Sequence, residues 1–165
     1  MRIIKLLTSC LLFATLFGTC GSLMAQAPKG KLIYCSYSET RAGGLGKSYC
    51  EMIADPGTKP KIVVVLFQNC HYADERNGEF NIKKSDVSEL QQMLENAEVY
   101  KIDGYKHEEL VEGGTTCRIY MEYDTGEKIN ASWYGHGVSE EALADFAMIK
   151  DWFKPWRDRV IGVEQ

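Results

Sequence analysis

The most regular pattern of hydrophobic and polar positions lies in residues 116–134. Apolar side chains occupy every second position in residues 117–123 and again in residues 129–133, which is typical of strands that bury one face. The segment Asp124-Thr125-Gly126 separates the two runs and predicts a three-residue loop, because Gly126 can adopt a left-handed backbone. A loop of odd length places odd-numbered residues opposite one another. We therefore predict a β-hairpin whose two apolar rows lie on one face.

Five shorter segments also have the composition of strands. They are residues 31–38, 47–54, 61–67, 79–82 and 98–102. Residues 61–67 are apolar without alternation, which predicts a central strand covered on both faces.

Two segments have helical periodicity. The first follows Ser85, the predicted N-cap, and places Asp86 in the first turn of the helix. The second follows Ser139, and its apolar stripe runs through Phe146 to Phe153 before Pro155, which we expect to end the helix. The resulting order, β-β-β-β-α-β-β-β-α, predicts an α+β fold. In it, a mainly antiparallel sheet of about seven strands carries two helices packed on one face.

The first 27 residues have the parts of a signal peptide. Arg2 and Lys5 precede an apolar core in residues 6–16, and Ala25-Gln26-Ala27 has the small-x-small pattern of a cleavage site. We therefore expect export to the periplasm or the extracellular space, with residues 28–165 forming a single α+β domain. Cys20 leaves open a second possibility, a lipid anchor. No other apolar run approaches the length of a transmembrane helix.

Charge narrows the class of partner. Because the leader carries two of the 19 basic residues and no acidic residue, residues 28–165 retain 17 Lys and Arg against 23 Asp and Glu, a net charge of −6. The basic residues also form no cluster along the sequence. Electrostatic binding of nucleic acid is therefore not expected.

Four cysteines remain after removal of the leader, namely Cys35, Cys50, Cys70 and Cys117. An even number in an exported chain favours disulfides. Cys35 and Cys50 flank a glycine-rich turn and could face each other, which would leave Cys70 with Cys117. Four buried free thiols are the alternative.

Three patterns in the sequence bear on phosphate binding, metal binding and catalysis. Gly46-Lys47-Ser48 ends a glycine-rich run in the manner of a phosphate-binding loop, but Arg41 stands where that motif needs glycine, and a strand pattern follows where it needs a helix. The three histidines and Cys70 lack the spacings of a zinc site, so we expect no metal and no cofactor. Cys70 with His136 as its base gives the alternative function, a thiol-dependent enzyme, although no cysteine-hydrolase signature surrounds Cys70.

Aromatic residues are the best candidates for binding. Tyr120 and Tyr134 belong to the hairpin face opposite the apolar rows, where they could stack on a sugar or bind a peptide. Trp152 and Trp156 are four residues apart near the end of the last helix. They either close the core there or form an edge that binds a partner.

The segment around the hairpin resembles the C-terminal half of small uncharacterised exported bacterial proteins. The resemblance rests on residues 123–129, on Trp133-Tyr134-Gly135 and on the acidic helix that ends at Trp152-Phe153. It covers residues 116–153 and implies the fold more than any activity. We accordingly expect a non-catalytic binding module of the cell envelope, whose partner is an envelope protein, a peptide or a glycan.

Overall fold

The computed structural model describes residues 26–41, 46–67, 75–109 and 111–162, in which the chain forms seven strands, two α-helices and one 3-10 helix. The strands are β1 Leu32–Arg41, β2 Gly46–Ile53, β3 Lys61–Phe67, β4 Glu75–Asn81, β5 Lys106–Glu108, β6 Thr115–Tyr123 and β7 Lys128–Tyr134. The helices are α1 Lys84–Asn96 and α2 Glu140–Ile161, and the 3-10 helix is Val99–Ile102.

The predicted hairpin is confirmed as β6 and β7. Cys117 lies opposite Trp133 and Met121 opposite Ile129, so odd-numbered residues face odd-numbered residues. Gly126 closes the loop with a φ of 86°, the left-handed conformation that the loop requires. Both apolar rows therefore lie on the buried face of the sheet.

All seven strands belong to one sheet with the order β4-β3-β2-β1-β6-β7-β5. Every pair is antiparallel except β5 with β7. Both helices pack on one face, where Leu90 and Leu94 of α1 and Phe146, Ile149 and Phe153 of α2 join the core. The predicted α+β fold is thus confirmed. On the opposite face of the sheet, here called the outer face, no helix of the described residues packs.

The prediction that residues 61–67 are covered on both faces is wrong. Burial alternates along β3, with Ile62 and Val64 fully buried and Val63 and Val65 half-buried. Both helices lie on the same side, so the odd-numbered residues of β3 belong to the outer face. The odd-numbered residues of β3 are apolar although they are only half-buried on the outer face, so the continuous apolar sequence does not indicate a strand covered on both faces.

The strand predicted at residues 98–102 is also wrong. Glu98 adopts a left-handed backbone with a φ of 53°, and Val99–Ile102 forms the 3-10 helix. Val99 and Ile102 are both buried. A separation of three places them on one side of such a turn, whereas a strand would have pointed them to opposite faces. The fifth strand is instead the short β5 Lys106–Glu108, which runs parallel to β7.

The ends of the helices partly match the predictions. Ser139 is the N-cap of α2, and its hydroxyl accepts a hydrogen bond from the Ala142 N–H at 3.3 Å. Ser85 does not cap α1, because the N-cap is Lys83, two residues earlier, and Asp86 accepts a hydrogen bond from the Lys83 N–H. Pro155 does not end α2, since Trp156 and Val160 beyond it still pack against the core and hold the last turns.

The predicted disulfide between Cys35 and Cys50 is not formed. Met52 lies opposite Cys35 and Tyr37 opposite Cys50, so the two cysteines are diagonal neighbours. Diagonal Cα atoms lie about 7–8 Å apart, beyond the usual span of a disulfide. Cys35, Cys50 and Cys117 are free and buried. The pairing of Cys70 with Cys117 involves a residue outside the described part of the chain.

Neither α-helix of the described chain combines the length and the apolar composition that a membrane crossing requires. Most of the predicted leader, including Cys20, lies outside the described residues.

Candidate anion-binding cleft

A cleft of about 580 Å³ opens where β1 ends and β2 begins, beside the C-terminal half of α2. We call it the basic cleft. Its walls are Glu39, Arg41, Gly46, Lys47, Ser48, Leu66, Phe67, Lys150, Arg157 and Ile161.

The fold brings these residues together from distant parts of the sequence. Glu39, Ser48 and Leu66 are direct cross-strand neighbours on the buried face of the sheet. Lys150, Arg157 and Ile161 recur at intervals of seven and four, which places them along one side of α2. The cleft therefore lies between the end of the sheet and one side of a helix.

Positive charge dominates the basic cleft. Arg41, Lys150 and Arg157 supply three cations on the side of the sheet that carries Glu39, the single acidic residue of the lining. Lys47 also lines the cleft, but alternation along β2 turns its side chain, like that of Tyr49, to the outer face. The whole chain, in contrast, has a net charge of −4. The cleft is therefore a local reversal of the overall charge, and such a reversal attracts anions.

Glu39 is neutralised within the protein. One carboxylate oxygen, Oε2, accepts from Lys150 Nζ at 2.6 Å and from the Tyr37 hydroxyl at 2.9 Å, and the other lies 3.5 Å from Arg41 Nε. Burial alone would raise the pKa of Glu39. The hydrogen bonds from Lys150 and Tyr37 and the nearby positive charges outweigh burial, so this pKa is lowered. Glu39 is therefore an anion that already has its partners.

One cation of the cleft, Arg157, has no acidic partner among the described residues. Lys47 forms no ion pair with a described residue either, but its Nζ lies on the outer face, 6.0 Å above the Phe67 ring. The Ser48 hydroxyl oxygen is buried and makes no hydrogen bond of ordinary geometry within this part of the chain, although the Cys50 thiol lies beside it. An oxyanion would supply the charge and the acceptors that these groups lack.

The two predicted tyrosines do not form one platform. Tyr120 lies opposite Asn130, and Tyr134 lies opposite Thr116, so they stand four residues apart along the hairpin, or roughly 13 Å. The Tyr134 hydroxyl donates to the Val111 carbonyl at 2.8 Å, and its ring packs so closely over Gly114 that a Cβ there would lie 2.8 Å from it. Tyr134 therefore holds a loop in place.

Tyr120 instead belongs to an aromatic cluster that sequence reasoning missed. Its ring meets Tyr34 edge-on with centroids 5.8 Å apart, and its hydroxyl donates to Glu122 at 3.0 Å. The Tyr34 and Tyr49 hydroxyls both donate to Glu51, at 2.6 and 2.7 Å. Burial, followed by the bond to Glu51, raises the pKa of Tyr34. The alternation of residues along β1 and β2 could have predicted this cluster, because it places Tyr34, Tyr49 and Glu51 on the outer face.

The two tryptophans pack against the hydrophobic core. Trp152 and Trp156 are half-buried, and their ring centroids lie 4.9 Å apart. Trp152 also meets Phe153 edge-on at 5.0 Å, and Phe153 is fully buried. This packing is the contact that closure of the core at the end of the helix requires, and binding of a partner by Trp152 and Trp156 stays a prediction.

The described residues contain no reactive thiol. Burial raises the pKa of Cys35 to about 12 and the pKa values of Cys50 and Cys117 to about 11, the opposite of what a thiolate nucleophile needs. His136 is exposed, and its backbone N–H donates to Glu109 at 3.0 Å. Cys70, the proposed nucleophile, lies outside the described residues. No three His, Cys, Asp or Glu side chains within the described ranges converge as metal ligands would.

Comparison with known proteins adds no family. No protein-family model matches this chain, and no curated protein matches it significantly.

Two residues of the basic cleft were already noticeable in the sequence. Lys47 and Ser48 stood out in the Gly-Lys-Ser motif, but they lie on strand β2 rather than before a helix, so that motif is not a phosphate-binding loop. Arg157 and Lys150 are more than a hundred residues away. Their convergence depends on where α2 crosses the sheet, which periodicity does not predict.

Proposed function

We propose that the protein is a non-catalytic binding module that holds a small oxyanion, a phosphate or a carboxylate, in the basic cleft. The observation that carries this proposal is the half-buried Arg157, which has no acidic partner among the described residues and shares the cleft with Arg41, Lys150 and the unpaired Ser48 hydroxyl. The predicted leader in residues 1–27 would place the cleft outside the cytoplasm, in the cell envelope or beyond.

Arg157 is the residue best suited to hold the ligand. Its guanidinium offers a planar fork of donors that matches two oxygens of a carboxylate or phosphate. It is half-buried at the cleft wall, where water screens a charge less than at an open surface. The buried Ser48 hydroxyl, on the same face of the sheet, could donate to another oxygen of the ligand.

Titration calorimetry with inorganic phosphate and with acetate tests this proposal. We expect saturable binding of at least one of these anions, which weakens about 10-fold or more in Arg157→Gln, because a charge-assisted hydrogen bond contributes about 1.5–3 kcal/mol. Arg159→Gln is the matched control, since Arg159 lies on the same helix, is exposed and does not line the cleft.

Equal weakening in the two variants would contradict a specific site, since it would report only the net charge of the protein. The absence of binding by both anions would overturn the proposed function. Chloride should be kept constant throughout the titrations, because anion binding of this kind falls with ionic strength.

The outer face is a second candidate surface, favoured by the cluster of Tyr34, Tyr49 and Tyr120 around two carboxylates. Their hydroxyls are engaged by Glu51 and Glu122, which would leave the rings to stack on a sugar or a peptide. Screening the wild type and Tyr120→Ala on a glycan array tests this role. Glycans retained by the wild type and lost by the variant would support it, whereas no retained glycan would contradict glycan binding.

A further inference from the structure

Strand β4, Glu75–Asn81, forms one edge of the sheet. An edge strand has backbone donors and acceptors that face no other strand, and proteins usually keep such edges short or cover them. The opposite edge follows this rule, because β5 has only three residues. β4 has seven residues, so it is the edge with room for a further strand.

The register of β4 on β3 identifies the backbone groups that point away from the sheet. The Ile82 N–H donates to the Pro60 carbonyl at 3.0 Å, and hydrogen-bonded pairs recur at every second position of an antiparallel ladder. Even-numbered residues of β4 therefore bond to β3, and odd-numbered residues turn their N–H and C=O groups to the free edge. Among the described residues, no hydrogen bond is made by these outward groups, which belong to Glu75, Asn77, Glu79 and Asn81.

Helix α2 holds β4 in place from the buried face of the sheet. The Arg76 guanidinium donates to the carbonyl of the last residue of α2 at 3.0 Å, and Val160 packs so closely over Gly78 that a Cβ there would lie 2.7 Å from it. The Arg159 guanidinium lies 5.8 Å from the centre of the Phe80 ring. An incoming strand would therefore meet an edge that is already ordered, which lowers the entropic cost of binding.

We propose that β4 binds an extended segment of a partner protein by antiparallel strand addition, and that this segment alternates basic and apolar residues. Directly opposed residues of an antiparallel pair point their side chains to the same face. The outer face of β4 carries Glu75 and Glu79, and Glu75 forms no ion pair with a described residue. The buried face offers the half-buried side chains of Phe80 and Val160 beside the edge. Basic side chains therefore match one face of the edge, and apolar side chains match the other.

A second copy of this chain is the other occupant that an open edge allows, and its geometry is unfavourable. A register centred on Gly78 would bring the ends of two α2 helices over strands about 5 Å apart, although packed helices lie about 8–10 Å apart. A register shifted by two residues in either direction sets Glu79 of one copy opposite Glu75 or Glu79 of the other, and directly opposed like charges destabilise a strand pair. A single strand without a helix layer avoids both problems.

A seven-residue peptide in which lysine alternates with valine is the probe. When it pairs with β4, its lysines lie opposite the odd-numbered residues, so the lysine N–H groups face the edge and the valine N–H groups point away. We expect N-methylation of the lysine backbone to weaken binding at least about 10-fold and N-methylation of the valine backbone to change it little, because only the first removes donors to β4. Replacing every lysine by glutamate should also weaken binding. Fluorescence anisotropy of dye-labelled peptides at constant ionic strength measures these affinities.

Asn77→Pro tests the same contact from the protein side. Proline is tolerated on an edge strand where its missing N–H faces away from the sheet, so the ladder with β3 stays intact. We expect this variant to bind the lysine–valine peptide about 10-fold or more weakly and to unfold near the temperature of the wild type. Asn77→Ala, which keeps the N–H, should bind as the wild type does.

The outcomes distinguish strand addition from other modes of binding. Equal effects of methylation at lysine and at valine would overturn strand addition, and no binding of the unmethylated peptide would overturn the assigned partner. A concentration-dependent dimer in sedimentation velocity that Asn77→Pro abolishes would also overturn it, because the edge would then belong to a second copy. No residue of β4 lines the basic cleft, so these outcomes are independent of the proposed anion binding.

Discussion

At the scale of single residues, Glu39 connects more of the molecule than any other charged side chain of the cleft. It lies on β1 with a side chain only 13% exposed, and it bonds Lys150 of α2 and the Tyr37 hydroxyl. A carboxylate with so little access to water is stable only where cations and donors replace its hydration. Glu39 thus anchors α2 to the sheet at the wall of the basic cleft.

Replacing Glu39 by glutamine should therefore lower the stability of the protein at neutral pH. We expect a loss of about 1–2 kcal/mol in the free energy of unfolding, because the variant removes charge-assisted hydrogen bonds but keeps the shape of the side chain. Chemical denaturation at pH 7 measures this difference. Glu79→Gln is the control, since Glu79 pairs with Lys61 at an exposed site and should contribute less than about 1 kcal/mol.

The same substitution should change how stability depends on pH. The pKa of Glu39 is lowered in the folded protein, so its contribution is complete above the ordinary value of 4.5 and declines as the pH falls through the folded-state pKa. Wild type and Glu39→Gln should therefore converge in stability in acid. Denaturation curves at a series of pH values test this, and a gap that widens on acidification would contradict the assigned ion pair.

At the scale of elements, the sequence predicted those parts of the fold that depend on neighbouring residues. The hairpin of β6 and β7 followed from alternation and from one glycine, and the cap of α2 followed from Ser139. The start of α1 was missed by two residues, because the N-cap is Lys83, whose N–H donates to Asp86, and not Ser85. The cleft was not predicted, because it depends on how α2 lies across the sheet.

This comparison of the two caps leads to a direct test. Ser139→Ala should cost about 1 kcal/mol in the free energy of unfolding, because it removes the acceptor of the Ala142 N–H. Ser85→Ala should change stability by less than about 0.5 kcal/mol, since Ser85 is exposed and outside the cap. Equal losses in urea denaturation of the two variants would show that the start of α1 is wrongly assigned.

At the scale of the whole molecule, strands of the single sheet and both helices contribute residues to one hydrophobic core. β1 lies at the centre, between β2 and β6, and residues from both helices and five other strands pack in the same hydrophobic cluster. Cys35, Cys50 and Cys117 sit in this cluster on three adjacent strands, and each is at most 3% exposed. Their reactivity therefore reports whether the sheet opens as one unit.

We expect all three thiols to resist alkylation in the native protein at pH 8 and to become reactive together in denaturant. Burial excludes the reagent and raises their pKa values to about 12, 11 and 11, so labelling requires unfolding of the sheet. Mass spectrometry of peptides after timed alkylation without reductant follows each cysteine separately. One common rate would indicate that residues 28–165 unfold as a single domain. If Cys117 is alkylated faster than Cys35 and Cys50, β6 separates from β1 locally. A disulfide-linked peptide that contains Cys35 and Cys50 would contradict the strand register, because that register places the two cysteines at diagonal positions.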